Sequence, residues 1–433
     1  MIRRAIAAVI RVTARIFFRR IEVAGSDRVP DSPVIFAVNH PNALIDPLFL
    51  LCFAPRPVSF LAKAPLFRTP LIRWFVRAFD SIPVYRKQDN VSTAGNRETF
   101  AQSRAVLQRG GAIAIFPEGT THSDPRLREL KTGAARIALG ASIRVSIVPA
   151  GLYYTAKQTF RSSALAYFGT PIAVEPEPVD ANGEPQSQSV ERLTEKIERA
   201  LAEVTLQADS HAALELIARA ERIFSAGEQR DLAGELELRR QFVAGYRYLS
   251  ERDPARLARL ESDVARMDAE VAPNVTIDAA TILQLIFLPI AIVGAAIHWP
   301  IYRLIGLLAN HFSRKEDELI ATLKVVGGLV LYPLFWIGLA ILAGRFRAAY
   351  AVAVLIGLPI LGYISLVTLE TLDEMIGHLR ATRHRNLDPQ RKALRDEILA
   401  VAAEISATSP SSSAASSSSS PTAAADSSSS ERR

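Results

Sequence analysis

Three stretches of this chain are almost free of charge: Ala279–Tyr302, where only His298 could carry one, Val325–Gly344 and Ala348–Leu369. Runs this long and apolar cannot form a water-facing surface, and as helices each is long enough to cross a ~30 Å hydrocarbon layer. The chain must therefore be organised around a membrane. Only Arg345, Phe346 and Arg347 separate the last two runs, which predicts a helical hairpin. The N-terminal part and the segment His378–Arg395 are both rich in Lys and Arg, so both belong on the cytoplasmic face. Three full crossings would separate them. Pro289 and Pro300 divide the first run into shorter pieces, as a re-entrant segment requires. The expectation is a membrane region over 276–372, with a re-entrant segment at about 279–310 and transmembrane helices at about 325–344 and 348–369.

The N-terminus, MIRRAIAAVIRVTARIFFRR, has arginines inside its apolar run and no cleavage-site pattern after it, which argues against a cleaved signal peptide. At ~100° per residue Arg4, Arg11, Arg15 and Arg19 share one helical face, and Ile2, Ile6, Val9 and Ile16 the opposite one. Phe18 and Arg20 break the pattern. Residues 1–20 are thus expected to form a basic interfacial helix; a helix packed on the protein's own body is the alternative.

The chain has 433 residues, a net charge of +7 and 49% hydrophobic residues. Greasy and basic together fit an anionic membrane surface. The basic residues are not interleaved with aromatics, so no nucleic-acid partner is expected. Cys52 is the only cysteine, which excludes an internal disulfide and a cysteine zinc cluster.

From Pro33 to Val174 short apolar runs alternate with helix-like segments. Strands are expected at Val34–Asn39, Val58–Ala62, Ser81–Tyr85, Ala112–Phe116, Val145–Pro149 and Tyr167–Val174, with helices at Leu71–Phe79, Glu98–Gln108 and Thr132–Leu139. Strands separated by helices imply an α/β domain over 21–188, with a mixed, largely parallel sheet flanked by helices. Polar amphipathic helices follow over 189–275, where Val190, Leu193, Ile197, Leu201 and Val204 repeat at helical spacing. After the membrane region come a basic helical segment (373–406) and a Ser-rich tail (407–433) that is disordered by composition.

No GxSxG, HExxH, Walker-type or GxGxxG signature occurs, which disfavours serine hydrolases, zinc proteases, P-loop NTPases and dinucleotide enzymes. Four blocks at strand ends remain. In the first, Asn39-His40-Pro41-Asn42-Ala43-Leu44-Ile45-Asp46-Pro47, a turn at Pro41–Asn42 could return Asp46 to the His40 imidazole. His40 would then be a general base, with Asp46 fixing its tautomer. Asp46-Pro47 also reads as an N-cap and first helical position. The second block, Phe116-Pro117-Glu118-Gly119-Thr120-Thr121-His122, could hold a polyol phosphate through carboxylate and backbone N–H groups, or be an ordinary strand-to-turn transition. The third, Ser81–Arg86, ends on an arginine whose planar fork suits an oxyanion. Lys131 opens a helix and could add a second cation. The fourth is Ile147-Val148-Pro149-Ala150-Gly151.

In this order the blocks resemble the glycerophosphate acyltransferase family, which includes the lysophosphatidate acyltransferases. The resemblance covers about the first 175 residues. Two departures stand out: five residues separate His40 from Asp46 where four are commoner, and Thr121 stands where an arginine often follows Glu-Gly-Thr. Both look like the branch that acylates glycerol 3-phosphate or dihydroxyacetone phosphate. The resemblance implies His40 as base and Asp46 as its partner, with Arg86, Glu118, Gly119, Thr120 and Lys131 binding the acceptor and Pro149 shaping the acyl site. His122 could substitute for the missing arginine. The acyl donor would be a thioester, acyl-CoA or acyl carrier protein, reactive enough that no metal or other cofactor is expected.

The expected partners are therefore a phosphorylated glycerol, the acyl thioester and membrane lipids. The expected location is the inner (cytoplasmic) membrane with the catalytic domain on the cytoplasmic face. Dihydroxyacetone phosphate or an acylated lysophospholipid could replace glycerol 3-phosphate as acceptor. Two other classes are a non-catalytic lipid-binding scaffold, against which the intact His40, Asp46 and Glu118 argue, and a transporter. Spans without Lys, Arg, Asp or Glu make a poor solute path.

Overall fold

A computed structural model describes residues 2–68, 73, 76–77, 79–85, 96–225, 230–268, 284–313, 316–382 and 388–408. The expected helix Leu71–Phe79, residue Arg86 and the Ser-rich tail beyond residue 408 fall wholly or largely outside them.

The centre is a sheet of eight strands: β1 (Arg20–Ala24), β2 (Val34–Val38), β3 (Val58–Lys63), β4 (Ile82–Val84), β5 (Ala112–Ile115), β6 (Val145–Tyr154), β7 (Ser163–Phe168) and β8 (Ile172–Val174). Their order is β1-β7-β6-β2-β5-β3-β4, and β8 pairs with β6. β2 lies parallel to β5 and β6, while β6 is antiparallel to β7 and β8. The fold is the mixed, largely parallel sheet that the sequence implies.

Every residue of β2 is fully buried, as a continuous Val-Ile-Phe-Ala-Val run in a parallel strand demands. Alternate residues serve opposite faces. Ile35 and Ala37 join the layer made by α3 (Asn96–Gln108), α4 (Gly133–Leu139) and α5 (Ser187–Glu203). The five apolar residues from Val190 to Val204 are all spent on that layer, so α5 closes the sheet. Val34, Phe36 and Val38 face the end of α1 (Ile2–Phe17), α2 (Ile45–Phe53) and the start of a membrane-type helix.

Three strand expectations differ from the structure. β1, with Arg20 and Glu22 in five residues, was not expected as a strand. The stretch Tyr167–Val174 divides between β7 and β8 at Gly169-Thr170-Pro171. β6 runs five residues past Pro149. Proline donates no ladder hydrogen bond, yet Pro149 falls between the residues of β6 paired with β8 and those paired with β7. Only its carbonyl is needed there, and it accepts from the Gly169 N–H at 2.8 Å.

Beyond the sheet, α6 (His211–Ser225), α7 (Leu232–Arg252), α8 (Pro254–Asp268) and the C-terminal α12 (Asp388–Thr408) form a helical cluster. Leu394 and Val401 of α12 pack with Ile223, Leu249, Leu260 and Val264. Arg256 reaches Glu397 and Glu404, and Arg391 donates to the Ile223 carbonyl.

Between α8 and α12 lie α9 (Leu288–Phe312), α10 (Asp317–Gly344) and α11 (Ala348–Thr382). All three are long and apolar enough to cross a membrane. Contrary to the expected division at Pro289 and Pro300, α9 is unbroken: Pro289 sits in its first turn and Pro300 in its interior. An interior proline forfeits one hydrogen bond, which packing against neighbouring helices can offset. Both ends of α9 lie near the α/β unit. Before its start, Gln284 accepts from Thr371 of α11, beside Glu370, which pairs with Arg161 and Arg19. Beyond its end, α10 begins with Glu318 bonded to Ser123 and continues to Lys324, which donates to the Gln158 carbonyl.

Candidate active site

The C-terminal ends of the three parallel strands β2, β5 and β6 open on one edge of the sheet, where ligands of open α/β sheets bind. His40 follows β2, Glu118 follows β5, and Tyr154 and Lys157 end or follow β6. The Asn39 side chain continues the β2–β6 ladder beyond its last backbone pair. Its Nδ2 donates to the Leu152 carbonyl at 3.0 Å, and its Oδ1 accepts from the Leu152 N–H at 2.7 Å. The residue just before His40 is thereby fixed.

The chain then turns through Pro41–Leu44, with Ala43 at φ +37°, and enters α2. The turn brings Asp46 back to the imidazole: Nδ1 and Oδ2 are 2.8 Å apart. The same oxygen accepts from the Asn42 N–H at 2.7 Å, and Oδ1 accepts from the Tyr154 hydroxyl at 2.7 Å. Asp46 is fully buried. It is not an N-cap, since that position belongs to Leu44 and Asp46 lies within the first helical turn. The His40 ring stacks on Phe116 with centroids 4.1 Å apart. Asp46 holds Nδ1 as a donor, so Nε2 keeps its lone pair, and His40 lines an open cavity of about 180 Å³.

Glu118 is only 3% exposed. Its Oε1 accepts from the His40 N–H at 3.0 Å; its Oε2 accepts from the Arg128 N–H at 3.0 Å and from His122 Nε2. Three of roughly four acceptor positions of a carboxylate are thus taken by protein. His122, with Nδ1 accepting from the Asp124 N–H, is satisfied on both nitrogens. Gly119 takes φ +74°, a left-handed turn that favours glycine, which carries the chain from β5 back over His40.

The other expected acceptor-binding residues are not gathered here. Gly119 and Thr120 are not among the cavity's lining residues, and Thr120 Oγ1 bonds the Thr121 carbonyl. Lys131 is exposed and also outside the cavity, its backbone N–H bound to the Pro117 carbonyl. Arg86 is outside the described residues.

Sequence reasoning missed Tyr154 and Lys157, because a strand tyrosine and a loop lysine carry no spacing signal. Burial, then the Asp46 carboxylate, pushes the Tyr154 phenol well above its usual value, so it stays a donor. Burial pulls the Lys157 ammonium down, against the pull of Glu318, Asp317, Asp46 and Asp124. Cys52 is buried, and that burial pushes its thiol up to about 11, the opposite of an activated nucleophile.

Comparison with known proteins meets this geometry at the same residues. The family model described as Acyltransferase matches residues 20–153. Glycerol-3-phosphate O-acyltransferase 2 of Saccharomyces cerevisiae is 28% identical over 57% of this chain and 38% of its own length. Glycerol-3-phosphate O-acyltransferase 1 of the same yeast is 24% identical over 74% of this chain and 58% of its own length. A chloroplastic 1-acyl-sn-glycerol-3-phosphate acyltransferase of Arabidopsis thaliana is 28% identical over 32% of this chain and 38% of its own length. The chain thus spans less than two thirds of the length of each of these curated relatives. Four motif blocks and the sheet that gathers two of them around one cavity fall in the same stretch, residues 20–153, that matches the family model described as Acyltransferase.

Proposed function

We propose that this protein is a membrane-bound O-acyltransferase that moves a fatty acyl group from acyl-CoA or acyl carrier protein to a hydroxyl of glycerol 3-phosphate. The observation that carries this reading is the His40–Asp46 pair, with His40 lining a cavity on the strand ends and its Nε2 without a partner among the described residues. In the reaction Nε2 takes the hydroxyl proton as the alcohol oxygen attacks the thioester carbonyl. Asp46 stabilises the imidazolium through Nδ1. The tetrahedral intermediate expels the thiolate, His40 returns the proton to sulfur, and an ester and a free thiol leave. The inert Cys52 agrees with direct attack. Glu118 acts as a positioning residue, fixing the His40 backbone and the His122 loop.

The membrane parts serve the substrate. Leaving an acyl chain in water costs ~0.8 kcal/mol per CH₂. Val9, Val12 and Ile16 form an exposed apolar stripe along α1, suited to resting on lipid beside the site. The docking of α12 on α6–α8 argues that the chain crosses the membrane an even number of times between them. Two crossings by α10 and α11, with α9 re-entrant, satisfy that parity and both α9 end contacts. The proposed location is the inner membrane with the catalytic unit on its cytoplasmic face, a reading supported by the basic residues that flank the apolar region.

Similarity to the plant enzyme favours 1-acylglycerol 3-phosphate as the second reading for the acceptor. Purified protein given labelled palmitoyl-CoA, or the acyl carrier protein thioester, with glycerol 3-phosphate, dihydroxyacetone phosphate or lysophosphatidate distinguishes these. The proposal expects monoacylated glycerol 3-phosphate as the main product; acyl transfer to none of them overturns it.

A further inference from the structure

Two cationic side chains, apart from the histidines, line the cavity beside His40: Arg126 and Lys157. Arg126 is already neutralised, since its guanidinium pairs with Asp209 and also donates to the Ala208 carbonyl. Lys157 is different. Its Nζ donates to the Pro41 carbonyl at 3.3 Å and to Ser123 Oγ, both uncharged, and it makes no ion pair among the described residues. A partly buried ammonium that no described carboxylate contacts directly is costly, and burial weakens its hold on the proton even with Glu318, Asp317, Asp46 and Asp124 nearby. Such a group facing a cavity is explained by an anionic ligand.

Its placement selects the ligand's size. The Pro41 carbonyl on which Nζ rests is one residue beyond His40. A three-carbon polyol phosphate would put its phosphate on the lysine and a hydroxyl near the imidazole. The loop bearing Lys157, between β6 and β7, is also held from the membrane side. Lys324 of α10 donates to the Gln158 carbonyl at 2.8 Å, Arg161 pairs with Glu370 of α11 at 2.6 Å, and Phe160 packs on Tyr302 of α9. Ser123, which accepts from Lys157, in turn bonds Glu318 of α10.

We propose that Lys157, steadied by Ser123 and by this clamp from α9–α11, is the cation that binds the acceptor's phosphate. This rests on the functional reading above. Lysine serves phosphate as a point charge on a flexible stem. The groups around it are Asp317 and Glu318 from α10, Asp46 from α2, Asp124 and His122 from the loop after β5, and His40. None of these carboxylates makes an ion pair with it, which leaves the ammonium available to phosphate.

The test uses full-length protein in nanodiscs with palmitoyl-CoA. Lys157→Gln should raise KM for glycerol 3-phosphate about 10–100-fold, the loss of a hydrogen bond to a charged partner. It should change kcat and the KM for palmitoyl-CoA far less, and Lys157→Arg should restore most of the affinity. In the wild type the acceptor KM should climb at alkaline pH as the ammonium is lost, starting below the usual lysine range; in Lys157→Gln that climb should vanish. Thermal stabilisation by glycerol 3-phosphate reads binding without turnover and should be lost in Lys157→Gln. Equal stabilisation of wild type and Lys157→Gln overturns the assignment, as does a fall in kcat at unchanged KM. Stabilisation of the wild type with no acyl transfer would instead overturn the functional reading and leave the phosphate site standing.

Discussion

Asp46 holds three hydrogen bonds on two oxygens, and their donors come from three parts of the fold: the His40 ring after β2, the Asn42 backbone in the turn and the Tyr154 hydroxyl ending β6. Such a carboxylate orients its histidine rigidly. Asp46→Asn keeps the shape but replaces an acceptor of Nδ1–H with an amide that can favour the wrong tautomer. Its kcat should fall by ~10²–10⁴ with little change in KM; activity within a few-fold of wild type would remove Asp46 from the mechanism. At this scale His40 and Asp46 were legible because the sequence places them in one block of fixed spacing. Tyr154 and Lys157 were not, since they reach the same cavity from more than a hundred residues away. Glu118 was singled out from its block as an acceptor-binding residue, whereas its hydrogen bonds to the His40 N–H and the His122 ring depend on a loop conformation that no spacing rule predicts.

Among the elements, α1 shows how a broken pattern carries information. Phe18 disrupts the amphipathic periodicity of the N-terminal segment, and the structure supplies the reason. Phe17 and Phe18 are buried plugs that fasten the helix to the sheet, and Phe18 stacks on Tyr154 and meets Phe49 edge-on. Arg3 and Arg11 add hydrogen bonds to the Val58 and Cys52 carbonyls. The helix therefore packs on the protein and presents an apolar stripe outward at once. Phe18→Ala should cost about 3–5 kcal/mol of stability, the range for an aromatic removed from a core. Its thermal inactivation midpoint should drop by several degrees, whereas Val9→Ala, on the exposed stripe, should leave it nearly unchanged. Equal effects would mean that the two faces are not distinct. The central strands were readable because an unbroken apolar run has few other uses. β1 was not, because its stability comes from pairing with β7, over 140 residues later.

For the whole molecule, topology is the property with consequences. The proposed topology keeps the basic segments around the apolar region on one face, which calls for an even number of crossings, and the docking of α12 on α6–α8 fits that count. Cysteines introduced one at a time at Glu251, Phe346 and Ser406, three exposed positions, read it directly, because the native Cys52 is buried. In sealed vesicles an impermeant maleimide should label positions 251 and 406 from one side and position 346 from the other. Positions 251 and 406 on opposite sides would establish an odd number of crossings and undo the docking. Apolar length alone marked α9 as a membrane element, but the sequence did not reveal that its helix continues through Pro300.

The most direct test of the central claim, acyl transfer driven by His40, compares membranes bearing the wild-type chain with membranes bearing His40→Ala at equal levels of folded protein. Both receive labelled palmitoyl-CoA and glycerol 3-phosphate, with the acyl carrier protein thioester as a parallel donor. The account predicts labelled acylglycerol phosphate from the wild type with one donor or both, and a loss of ~10²–10⁴-fold in the variant. Product formed equally by the two, or by neither with either donor, would contradict it.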